Sequence, residues 1–75
     1  MFTEQELLKT ASAYLKRTYG EDTVKVTVVE NKVENGNGVL TVDITVSVGG
    51  DHSDWRKWFT FKNDNVADMR AKFVS

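Results

Sequence analysis

Nine residues, Asp54 to Lys62 (DWRKWFTFK), contain two tryptophans, two phenylalanines and three cations. Rings and cations at this spacing suit two kinds of binding chemistry. On a single-stranded nucleic-acid platform an indole stacks on a base while Arg and Lys neutralise phosphates, and stacking contributes roughly 1–3 kcal/mol per base. At a protein interface, Trp and Arg are among the side chains that carry most of the binding energy. The plainer alternative is that the rings serve the fold alone. One tryptophan would then cover its cross-strand neighbours, with Arg56 or Arg70 stacked on it as a cation–π pair.

Strand periodicity separates these roles, because successive side chains point to opposite faces of a sheet. Trp55, Lys57, Phe59 and Phe61 share one side, and Arg56, Trp58, Thr60 and Lys62 the other. Phe59 and Phe61 belong with the core. Trp58 is expected on an open face between Arg56, Thr60 and Lys62, and a neighbouring fourth strand would add Arg70 and Lys72. Those six residues are the expected binding surface, interrupted by Asp43 and Asp68. Lys57 is the exception on the inner side, expected near a sheet edge with its ammonium snorkelling to water.

Other combinations with chemical potential are weaker. Asp51, His52 and Asp54 offer oxygen and nitrogen donors to a divalent metal, but they lie in or just after a short loop read as Gly49 to Ser53, with no further ligands nearby. Turn hydrogen bonds from Asp51 and Ser53 and a solvated His52 fit better. Ser, His and Asp this close together on a loop do not reach the mutual geometry of a triad. The glycine pairs 36/38 and 49/50 do not sit between a strand and a helix, as a phosphate loop requires. Glu4 and Glu6 suit a helix start, and Glu21, Asp22, Glu30 and Glu34 read as solvated. No buried carboxylate pair for acid–base work is identifiable. No enzyme activity, cofactor or metal is expected.

The elements that position the aromatic stretch can be read directly. Thr3 and Glu6 have capping-box spacing, with Phe2 placed as a staple against Leu7. Leu7, Leu8, Ala11, Tyr14, Leu15 and Tyr19 form one helical stripe, and Gly20 follows as a stop. TVKVTVVE then alternates Val24, Val26 and Val28 against Lys25, Thr27 and Val29. Asn35-Gly36 and Asn37-Gly38 mark a hairpin. VLTVDITVSV sets Leu40, Val42, Ile44, Val46 and Val48 against Thr41, Asp43, Thr45 and Ser47. After the aromatic strand and an NDN turn, residues 66–74 fit either a strand or a helix. Alternation of Ala67, Met69, Ala71 and Phe73 against Asp68, Arg70, Lys72 and Val74 favours the strand.

The 75 residues suffice for one domain. Their 40% hydrophobic and 28% charged content is that of a folded chain. Cysteine is absent, which removes disulfides and thiol chemistry and fits a reducing compartment. The acidic start MFTEQELLKT does not read as a signal peptide, so a cytoplasmic setting is expected. The net charge of −1 conceals an asymmetry: residues 1–54 carry five cations and nine acids, residues 55–75 five cations and two acids. Segregation of this kind bears on partners.

A helix followed by a four-stranded antiparallel meander resembles the cystatin architecture, which protease inhibitors share with ligand-binding relatives. Inhibitors of that family present a Gln-x-Val-x-Gly first hairpin and a Pro-Trp second hairpin to a protease. The corresponding stretch here, Asn31-Lys32-Val33-Glu34-Asn35, shares the valine, and Trp55 stands without a proline. The resemblance implies the α+β fold, with protease inhibition as a remote reading. The residues themselves point to a non-enzymatic module that binds a protein partner or a second copy of itself. Single-stranded nucleic acid is the alternative.

Overall fold

The computed structural model describes residues 3–75. One helix, α1 (Glu4–Tyr19), precedes four strands: β1 (Asp22–Asn31), β2 (Gly38–Val48), β3 (Asp51–Lys62) and β4 (Asn65–Phe73). The strands pair antiparallel in the order β1-β2-β3-β4. Residues 66–73 are therefore strand, and the α+β meander is as the alternation predicts.

Local chemistry fixes the helix ends. The Thr3 hydroxyl accepts from the Glu6 N–H and the Glu6 carboxylate accepts from the Thr3 N–H, so two otherwise orphaned donors are satisfied. This hydrogen bonding to Thr3 holds the Glu6 carboxyl below its ordinary range. The staple expected of Phe2 lies outside the described residues. At the other end Gly20 turns left-handed (φ 69°) and its N–H returns to the Lys16 carbonyl.

The core is a single cluster. Leu7, Ala11 and Leu15 of α1 bury against Leu40, Val42, Ile44 and Val46 of β2 and Phe59 and Phe61 of β3. Two hydrogen bonds tie α1 to β1, from the Thr23 hydroxyl to Ser12 (3.1 Å) and from the Asn31 amide to Glu4 (3.3 Å). Tyr19, placed in the apolar stripe by spacing, is half exposed at the helix end, as is Val48 beside its turn.

Several local expectations change. β1 does not alternate throughout: Val24 and Val29 are each an extra residue in the pairing with β2. Such bulges push a side chain out of alternation, so Thr23 takes the inward place opposite Val46 and both valines are substantially exposed. Ala67 is the same kind of extra residue in β4, and Val66 replaces it on the core side. The Gly49 to Ser53 loop contracts to a two-residue turn, Gly49-Gly50, both with positive φ. Asp51, His52 and Ser53 belong to β3. Trp55 likewise lies within β3 rather than at a hairpin tip, which falls at Asn63-Asp64.

The largest correction concerns Lys57. β3 is flanked on both sides, so an inward lysine there has no edge to reach. Lys57 is buried, its side chain 3% exposed, and its ammonium lies 2.9 Å from a Glu21 carboxylate oxygen. The left-handed turn at Gly20 brings Glu21 inward, so Glu21 is not a solvated loop residue. The ammonium also lies 5.1 Å from the Trp55 ring centre and 5.8 Å from that of Tyr19. Taking an amine from water is costly unless it is paired, and here a carboxylate and two rings replace the water.

Candidate interaction surface

The helix covers one face of the sheet. On the other, the register lines up the outward side chains in cross-strand rows. Thr41, Trp58 and Arg70 form one row across β2, β3 and β4; Asp43, Arg56 and Lys72 form the next, extended by Thr27 on β1. On the other side of Trp58, Val39, Thr60 and Asp68 form a third. Lys62 lies at the end of β3 opposite Asn65. Arg56, Trp58, Thr60, Lys62, Arg70 and Lys72 therefore share this face.

Trp58 is half-buried although no element covers it. Its partner Thr41 is buried to 7% exposure on the same open face. A residue so enclosed without a covering layer is enclosed by its neighbours on the sheet. Two shallow depressions flank this position. One, of about 610 Å³, is lined by Val39, Trp58, Thr60, Asp68, Arg70 and Ala71. The other, of about 590 Å³, reaches across all four strands and includes Lys25, Asp43, Asp54, Arg56 and Lys72.

The electrostatics differ from an unbroken basic patch. Arg56 donates to both oxygens of Asp43, at 2.7 and 3.0 Å. That bidentate hydrogen bonding holds the Asp43 carboxyl below its usual range and raises the Arg56 guanidinium further. Arg56 is thus committed and does not stack on Trp58. The cation–π contacts among the described residues belong to Lys57 on the opposite face. Asp54 accepts from the Thr45 and Ser75 hydroxyls, which lower its carboxyl too. Lys62, Arg70 and Lys72 make no ion pair among the described residues.

The loop residues considered for metal binding are separated by the strand they belong to. His52 and Asp54 point to one face and Asp51 to the other, and among the described residues no three acidic or histidine side chains are grouped to hold an ion. Ser53 accepts a hydrogen bond from the Trp55 indole at 2.9 Å instead of closing a turn. The Lys57–Glu21 pair was missed by sequence reasoning. Its signal was a lysine at an inward parity in a strand with neighbours on both sides, which demands a carboxylate.

No family model, curated protein or solved structure matches the chain. Among the described residues no helix is long and apolar enough to cross a membrane.

Proposed function

We propose that this protein is a small non-enzymatic interaction module and that the helix-free face centred on Trp58 binds a protein partner, with another copy of the chain the first to test. The observation that carries this reading is the Arg56–Asp43 pair beside Trp58. With Arg56 neutralised and Asp54 and Asp68 interleaved, the face offers mixed charge around an aromatic centre. Mixed charge rimming a large ring suits a protein surface; a phosphate backbone favours uninterrupted cations. The cysteine-free composition fits a cytoplasmic setting.

Single-stranded nucleic acid is the second reading, and Arg70 directly opposite Trp58 is what favours it. Kinship with cystatins would bring protease inhibition as a third. The first hairpin tip here is Asn35-Gly36, held to the second turn by a 3.0 Å hydrogen bond from the Asp64 N–H to the Gly36 carbonyl. It lacks the glutamine and glycine that flank the inhibitory valine, so inhibition ranks below the other two.

The test is an amide-resolved NMR comparison at two protein concentrations, then with a short mixed oligonucleotide at low and moderate salt. Concentration-dependent shifts on residues 56–62 and 68–72 that vanish in Trp58→Ala support a self-binding face. Shifts that need oligonucleotide and fade steeply with salt overturn the protein reading. If both arms are silent, affinity capture with the wild type and Trp58→Ala decides: a partner retained equally by both sinks the role of this face.

A further inference from the structure

The two edges of the sheet are not equivalent. β1 carries bulges at Val24 and Val29, and bulges twist an edge away from further pairing. β4 has its bulge at Ala67, and from Asp68 to Phe73 it pairs with β3 without interruption. Among the described residues nothing pairs with the outer side of this regular stretch. Its side chains sort cleanly: Asp68, Arg70 and Lys72 face the helix-free side, while Met69, Ala71 and Phe73 face the helix side. Phe73 is 58% exposed even though it stacks edge-on against Trp55 at 5.1 Å.

The charges decide what could pair there. In antiparallel pairing of β4 with β4 of a second copy, centring on Arg70 sets Arg70 against itself between two Asp68–Lys72 pairs, and centring on Ala71 sets Arg70 against Lys72 twice. Like charges directly opposite are destabilising. Centring on Met69 matches Asp68 with Arg70 but carries the bulged Ala67 into the new ladder. Each of these registers with a second copy therefore carries a like-charge or a bulged position. A strand with carboxylates opposite Arg70 and Lys72 and no acid opposite Asp68 has neither fault.

We infer that residues 68–73 of β4 are a docking edge for an extended segment of a partner protein in which acidic and apolar side chains alternate. The backbone of that segment extends the sheet. Its carboxylates lie opposite Arg70 and Lys72 and its apolar side chains continue the Ala71 and Phe73 surface, a known mode of strand addition. The inference shares Arg70 and Lys72 with the face proposed above but uses the strand edge, so it does not depend on Trp58.

The test uses the full chain and a short capped peptide alternating Glu and Val, followed by NMR and amide hydrogen exchange. Expected are shifts and slowed exchange at residues 68–73 with β1 unaffected, and unchanged binding by Trp58→Ala. The double variant Arg70→Glu, Lys72→Glu should bind this peptide about tenfold or more weaker and should gain affinity for a Lys/Val peptide, which also shows that it is folded. N-methylation of alternate peptide amides along the pairing edge should abolish binding. The inference is overturned by no binding, by equal binding of a block peptide of the same Glu and Val content, by tolerance of N-methylation, or by shifts centred on Trp58 that Trp58→Ala removes. The last outcome would leave the face reading standing while removing the edge.

Discussion

The Lys57 ammonium and the Glu21 carboxylate meet 2.9 Å apart beneath the C-terminal end of α1, although 36 positions separate them in the chain. The pair joins the residue after the helix stop to the middle of the central aromatic strand. Breaking a buried pair from one side leaves an uncompensated charge, which costs about 3–5 kcal/mol. A domain of this size has about 5–10 kcal/mol of stability in total, so Lys57→Ala is expected to lower the urea midpoint sharply. The double variant Lys57→Met, Glu21→Leu removes both charges and should recover most of the loss. If Lys57→Ala alone is neutral in urea unfolding, the pair is not buried in solution.

The two neighbouring aromatics Trp58 and Phe59 should respond differently. Phe59 is fully buried in the core and stacks edge-on with Tyr14, so Phe59→Ala should cost about 3–5 kcal/mol. Trp58 lies on the open face, so Trp58→Ala should cost no more than about 1–2 kcal/mol of packing and keep the dispersed amide spectrum. Thermal unfolding of the two variants side by side checks the assignment of faces. Equal losses would place Trp58 in the core.

The depressed carboxyls of Asp43 and Asp54 set an acid limit. A group whose folded pKa lies below its unfolded value, about 3.9 for aspartate, contributes stability that is fully present above that value. The contribution is lost as pH falls through the folded pKa. Carboxyl-carbon NMR titration should find both residues below the ordinary range. Arg56→Gln should return Asp43 toward it and leave Asp54 lowered, since Thr45 and Ser75 hold that carboxylate. A joint return of both would mean a general field rather than these hydrogen bonds.

The glycines at two turns differ in what surrounds them. A Cβ on Gly38, which has φ 135°, would collide with the Lys32 carbonyl. Gly49 has φ 58° with open space around it, a conformation asparagine accepts. Gly38→Ala should therefore destabilise by more than about 1 kcal/mol, whereas Gly49→Asn should be within about 0.5 kcal/mol of wild type. Chemical denaturation of the pair checks this, and a tolerated Gly38→Ala would contradict the close approach of the two strands at the first hairpin.

Features that depend on near neighbours were legible in the sequence. The Thr3–Glu6 box, the Gly20 stop, the Asn35-Gly36 turn and the alternation through β2 and β3 are each settled within a few residues, by backbone donors, permitted φ and strand period. Alternation also placed Arg56, Trp58, Thr60 and Lys62 on one side, and a fourth strand was enough to bring in Arg70 and Lys72. What the tertiary structure decided was how distant segments met. The bulges at Val24, Val29 and Ala67 arise in the pairing of strands, where one strand carries a residue its partner does not match, and the one at Val24 exposed a valine that periodicity had placed inside. Lys57 could find Glu21 only once the helix lay across the sheet. Arg56 was committed to Asp43 by register, because one position of slip would have put those charges on opposite faces. Local rules determined which side chains share a face, and only long-range pairing determined which of their charges were left without partners.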